Sequence, residues 1–128
     1  MKTAVILILL LAAVMAYVRF TPVTAESGPG RPNLEAVGDH AMRGGHYAVR
    51  SSDEVPLDKL IAVIEATPRT IKLGDGIYVT RSLIWGFPDI THVWSENENT
   101  HVSSHLVYGS SDLGVNRKRM EKWLAELD

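Results

Sequence analysis

The chain of 128 residues contains no cysteine. That absence excludes a disulfide framework, a cysteine-ligated zinc ribbon, a thiol nucleophile and a lipoprotein attachment site. There is no excess of positive charge either. Thirteen basic side chains stand against fifteen acidic ones, a net of −2, so nothing electrostatic recommends nucleic acid as a partner. No Gly-x-Ser-x-Gly elbow occurs, and no internal repeat. The stretch Gly109 to Gly114 runs into Val115-Asn116, not Lys-Ser/Thr, which excludes a P-loop. No motif calls for a cofactor.

What the chain does have is one long apolar run. Mean hydropathy is +0.01, an average over two unlike parts. Ala4 to Val18 is apolar throughout, preceded by Met1-Lys2-Thr3 and followed by Arg19. Residues 1–20 therefore read as a membrane anchor or a signal segment, with membrane contact through residues 4–18. Val23-Thr24-Ala25 offers a small-x-small cleavage site, with cutting before Glu26. A permanent anchor needs about 17–25 apolar residues, and Thr3 and Phe20 extend the run toward that length. Lys2 and the N-terminal amine outweigh Arg19, placing the N-terminus inside. A helix apolar on every face has no place as the core of so small a protein. Lys2 and Arg19 are the only charged side chains in residues 1–25, so the remainder carries 13 − 2 = 11 basic and 15 acidic residues, a net of −4.

Residues 21–46 hold Pro22, Gly28, Pro29, Gly30, Pro32, Gly38, Gly44 and Gly45 and show no apolar period. They read as an extended tether or an irregular wrap onto the domain. His40 and His46 lie here and read as solvated loop histidines.

Residues 47–128 carry the folded pattern. Tyr47 to Ser51 is a strand. Ser51, Ser52 and Asp53 can cap a helix, and Pro56 suits its first turn. Leu57, Leu60, Ile61 and Ile64 recur on one helical face until Thr67-Pro68 ends it. Arg69 to Leu73 and Ile77 to Ile84 form a hairpin around Gly74-Asp75-Gly76. Gly86 to Asp89 breaks the second strand. Ile90 to Ser95 and Thr100 to Tyr108 form another hairpin around Glu96 to Asn99. A last helix runs from Asp112 or Gly114 to Leu127. The order β-α-β-β-β-β-α predicts an α+β two-layer sandwich: an antiparallel sheet of about five strands with two helices on one face.

Two constellations invite chemistry. The last helix buries a stripe of Met120, Trp123, Leu124 and Leu127, with Asn116 one turn earlier on the same stripe. Arg117, Lys118 and Arg119 crowd its positive end, each at a cost of roughly 0.3–1 kcal/mol. A negative partner is expected. Asp112 is one candidate and Asp89 another, so Asp89, Asp112, Gly114, Asn116, Arg117 and Arg119 read first as a structural motif. The functional alternative is an anion site, in which the turn Gly109, Ser110, Ser111 and the side chains Arg117 and Arg119 hold a phosphate or carboxylate.

The second constellation is histidine. If the Glu96-to-Asn99 loop closes symmetrically, Ser95 faces Thr100, Trp94 faces His101, His92 faces Ser103 and Ile90 faces His105. His92, Trp94, His101, Ser103 and His105 then share the face without helices, and Val93, Val102 and Leu106 share the core face. This reads as a polar sheet face, with zinc binding by His92, His101 and His105 as the alternative. A hydrolase built from Ser103, Ser104 or Ser111 with His105 and Asp112 has no supporting motif. Trp85, Trp94 and Tyr108 read as packing; on the helix-free face they would suit a lipid or a partner protein.

Arg81-Ser82-Leu83-Ile84-Trp85-Gly86-Phe87-Pro88-Asp89, then Tyr108-Gly109-Ser110-Ser111-Asp112-Leu113-Gly114-Val115-Asn116-Arg117-Lys118-Arg119 and Trp123-Leu124, resemble the bacterial family of unknown function DUF1499. The resemblance runs from about Tyr47 to Leu127. Members carry Ser-Arg-x-Arg-type residues just before the position of Gly109, where this chain has Ser104 to Tyr108. Ala16-Tyr17-Val18-Arg19 and the proline-containing tether resemble members with one N-terminal membrane segment, which implies an uncleaved anchor. The resemblance implies a cell-envelope protein of the bacterial inner membrane and no assigned reaction. The expectation is a membrane-tethered module facing the periplasm, without catalytic activity, that binds an unidentified protein or small molecule and no nucleic acid. The alternatives are secretion after cleavage near Ala25 and a small hydrolase or metal enzyme on the histidine face.

Overall fold

A computed structural model describes all 128 residues. Helix α1 spans Lys2–Phe20. Strands β1 (Gly38–Met42) and β2 (Gly45–Ser51) follow, then helix α2 (Leu57–Glu65). Strands β3 (Thr70–Gly74), β4 (Ile77–Arg81), β5 (Pro88–Glu96) and β6 (Asn99–Leu106) come next, and helix α3 (Val115–Ala125) closes the chain. The six strands form one antiparallel sheet in the order β1-β2-β6-β5-β4-β3. The α+β class and the two covering helices are as the sequence indicates, with one strand more. The added strand is β1, from residues read as tether. It is an edge strand that pairs only with β2; its burial alternates, but its residues Gly-Asp-His-Ala-Met do not alternate in polarity.

Tight turns set the registers. Asn97 and Glu98 both have positive φ, 52° and 62°, the pattern of the two-residue hairpin turns that match strand twist. Trp94 therefore pairs with His101, His92 with Ser103 and Ile90 with His105, the register expected from symmetric closure. Gly76 (φ 67°) turns β3 into β4. A Cβ there would collide with the Val93 carbonyl, while the Gly76 carbonyl accepts a bond from Val93 N–H at 2.9 Å.

Strand alternation gives the sheet two different faces. Ala48, Tyr78, Val93 and Val102 point toward α2 and α3 and join Leu60, Ile64, Met120 and Trp123 in the main core. The Tyr78 hydroxyl donates to Glu65 at the end of α2 (2.7 Å), and burial pushes its pKa up to about 12. The Trp123 indole donates to Thr67 (2.8 Å), tying α3 to the end of α2. Tyr47, Val49 and Trp94 form a smaller cluster on the other face, with Met42 packed against it.

That second face is covered. Residues 21–37 cross it as an irregular strap. Gly28 lies against Ile90, the guanidinium of Arg31 sits 4.7 Å above the Trp94 ring, and Ala36 receives a bond from His40 (2.7 Å). Glycine and proline suit this path, because a strap pressed on a sheet face must change direction without a repeating structure.

Candidate functional site

The end of the sheet where β4 leaves and α3 begins is the most elaborated part of the molecule. Leu113 and Gly114 take positive φ (55° and 78°), turning the chain into α3. The Asp112 carboxylate accepts from Gly114 N–H (3.0 Å), Asn116 N–H (2.9 Å) and the Asn116 side-chain amide (2.9 Å). It thus satisfies amides that the helix leaves free and sets negative charge against its positive end. Burial opposes ionisation of Asp112, yet these amide donors hold its carboxyl below the usual carboxylate range. Asn116 in turn accepts from Arg119 (3.0 Å), and Arg119 donates to Asp89 on β5 (3.0 Å). The Arg119 and Asp89 side chains are only 14% and 10% exposed. Burial pushes the Asp89 carboxyl up, against the pull of Arg119. A continuous polar chain therefore runs from Asp112 through Asn116 and Arg119 to Asp89.

Arg117 is not part of it. Two residues along a helix point to opposite sides, and Arg117 instead pairs with Glu121 on the exposed surface (2.9 Å). Gly109, Ser110 and Ser111 are exposed in the turn, while Arg119 is held inward by Asp89. The five residues of the anion-site expectation are thus not brought together. Two carboxylates, Asp89 and Asp112, line the cleft of about 300 Å³ beside that turn, with Tyr108, Leu113 and Phe87. Positive charge gathers elsewhere. Arg69, Arg81, Lys118, Arg119 and Lys122 line a cleft of about 420 Å³ between α3 and the β3–β4 edge, with Glu126 as its one carboxylate. Arg69 and Arg81 were not among the sequence candidates; one precedes a strand and the other ends one, and only pairing across β3 and β4 puts them beside α3.

The histidine face holds the expected residues, but they do not converge. His101 is engaged at both ring nitrogens, by the Tyr47 hydroxyl (2.7 Å) and the Glu96 carbonyl (3.0 Å). It stacks on Trp94 with centroids 5.0 Å apart. His105 bonds the Leu106 carbonyl (2.5 Å). The Nε2 atom of His92 is buried without a partner. No three His, Asp or Glu side chains meet as a metal-binding group. Ser104 faces the helices and bonds Thr91 (2.7 Å), on the side of the sheet away from His105. Of the remaining histidines, His46 is buried and bonds Asp39 (3.0 Å). That bond, with Arg50 nearby, holds the Asp39 carboxyl low.

A family model for a protein of unknown function, DUF1499, matches residues 23–127. The chain belongs to that family. No curated protein and no solved structure matches it. The DUF1499 match begins within the strap, and α1 lies before it.

The junction between α1 and the DUF1499 domain is built from specific bonds. Arg81, at the end of β4, donates to the carbonyls of Val18 (2.9 Å) and Thr21 (3.2 Å) in and just after the last turn of α1. The same guanidinium donates to the Gly86 carbonyl (2.9 Å). Arg19 reaches back to the carbonyls of Ile84 (2.5 Å) and Leu83 (3.5 Å). Val18 is buried at the contact, and Tyr17 lies by Tyr108 with centroids 6.4 Å apart. Val18 is the one buried residue of α1; the rest of the helix is apolar and free-standing, and the helix is long enough to cross a membrane. Sequence reasoning missed this junction, because an arginine at a strand end carries no sign of a helix sixty residues earlier.

Proposed function

We propose that the chain is a membrane-tethered binding module whose α1 stays in the bilayer, with its DUF1499 domain on the periplasmic face of a bacterial inner membrane. The observation that carries this reading is the bonding of Arg81 and Arg19 across the junction. A signal segment is discarded, and its removal would leave the half-buried Arg81 without two of its three carbonyl partners. Each such charge-assisted bond contributes on the order of 1.5–3 kcal/mol when well formed. The balance of Lys2 and the N-terminal amine against Arg19 supports a domain outside the cytoplasm. The domain's role is to bind an unidentified protein or small molecule without chemical turnover, with the cationic cleft of Arg69, Lys118 and Lys122 as its recognition surface.

Intact mass of the protein purified from the membrane fraction tests the tether. The expected mass is that of a chain retaining Lys2 to Ala25. A mass for a chain starting at Glu26 would overturn the tether and replace it with secretion.

A further inference from the structure

The β4–β5 loop, residues 82–87, carries large apolar side chains, of which Trp85 is half-buried. Leu83 and Ile84 are each 68% exposed, and Phe87 is 42% exposed. Trp85 stacks on Phe87 with centroids 6.0 Å apart. Leu113, at the turn into α3, is 87% exposed. The loop contains no charged residue. Exposed large apolar side chains gathered at one place mark an interaction surface, and the position of this one indicates its partner.

Helix α1 has 19 residues, which at ~1.5 Å per residue is about 28 Å. The hydrocarbon core of a bilayer is ~30 Å thick. A spanning α1 is therefore used along its whole length, and none of it stands clear of the membrane as a stalk. Its last turn lies at the interface. The loop is bonded to that same turn, Ile84 through Arg19 and Gly86 through the shared Arg81 guanidinium. A Cβ on Gly86 would lie 3.4 Å from the Arg19 side chain, so that side chain packs against the Gly86 backbone. The loop is consequently fixed at the depth where acyl chains meet headgroups. Aromatic and aliphatic side chains flanked by arginines suit that depth, the rings sitting among the headgroups and the guanidiniums near phosphate. The nearby carboxylates are already engaged, Asp112 by the amides of α3 and Asp89 by Arg119.

We propose that Leu83, Ile84, Trp85, Phe87 and Leu113 form a second membrane contact that seats the domain on the lipid surface beside its own anchor. This rests on the reading of α1 as a retained anchor. It makes α1 and the loop a two-point attachment, so that the sheet has a fixed orientation to the bilayer and does not swing on a tether.

The test uses the full chain reconstituted into vesicles of phosphatidylcholine and phosphatidylglycerol, with part of the phosphatidylcholine brominated near the top of the acyl chains. Bromine quenches tryptophan on contact. Trp94 and Trp123 are buried in the domain, so Trp85 is the reporter. The expected result is a loss of tryptophan fluorescence in brominated vesicles that Trp85→Phe abolishes. Leu83→Asp with Ile84→Asp should also reduce it. Quenching that Trp85→Phe leaves unchanged, or no quenching in a chain that resists alkaline carbonate extraction, would overturn the docking while leaving the anchor intact. Release of the chain by carbonate would instead overturn the anchor reading, and the docking with it.

Discussion

The two faces of the sheet are both covered, but by different means. On one, α2 and α3 bring Leu60, Ile64, Met120 and Trp123 onto Ala48, Val93 and Val102, a continuous apolar core. On the other, an irregular strap crosses Tyr47, Trp94 and His101, whose polar atoms are satisfied mainly by one another and by nearby backbone. Helices satisfy their own backbone groups and can press a full apolar stripe onto a sheet. A strap cannot, and every residue from Thr21 to Val37 remains partly or fully exposed. The helix face should therefore carry most of the stability, and the strap face should open first.

One substitution made on each face breaks or sharpens this comparison. Trp123 and Trp94 are both almost fully buried. Trp123→Ala should cost about 3–5 kcal/mol, because the surrounding helices and sheet cannot close over the space. Trp94→Ala should fall below that range, because the irregular strap can settle into the gap. Chemical denaturation of the two variants in the same detergent checks the order. Equal losses would mean that the strap is as rigid a cover as the helices.

An effect on the scale of Trp123→Ala should come from the polar lock on the helix face. Arg119→Ala leaves Asp89 buried beside an apolar cavity wall without its cation. Breaking a buried pair from one side costs about 3–5 kcal/mol, although replacing both partners can be close to neutral. Arg119→Met combined with Asp89→Leu should therefore recover much of the loss, as read by the same denaturation measurement. Failure of the double variant to recover would show that Asn116 and Asp112 depend on Arg119 for their arrangement.

The same contrast explains what could be read without the structure. The helix face follows local rules. Leu57, Leu60, Ile61 and Ile64 recur at helical spacing, and the alternation through Val93 and Val102 places core residues on one side. The turn at Asn97-Glu98 fixes the His92–Ser103 and Trp94–His101 pairs. The crowding of Arg117 to Arg119 at the start of α3 called for a negative partner, and Asp112 and Asp89 stand there. The strap and the α1 junction follow no local period. Gly28, Pro29 and Arg31 are placed by contacts some sixty residues away, at Ile90, His92 and Trp94. β1 was missed because Gly38 to Met42 has neither alternation nor β-branched residues. Long-range contacts made by single residues leave no pattern in the chain.

The smallest effect expected is one of pH, and it belongs to the strap. His92 lies under the strap next to the Pro29 carbonyl. Burial holds its pKa below the usual histidine value, and the charge of Arg31 adds to the effect. The neutral ring is thus favoured in the folded state. Stability from His92 is fully present above the unfolded value of about 6.5 and is lost as pH falls through the lower folded value. Asp112 and Asp39 also have lowered values, but they lose their contribution only below about 3.9, the ordinary carboxylate range. Between pH 7.5 and pH 5 the melting temperature should fall. His92→Phe removes the titrating ring while keeping a flat side chain in its place, and its unpartnered Nε2 is no loss. That variant should flatten the pH dependence in this window. Cleavage at Glu35 in the strap by a glutamyl protease should rise at pH 5 before the amides of α2 or α3 lose protection from hydrogen exchange. If the helices lose protection together with the strap, the two faces unfold as one unit and the contrast between them is only geometric.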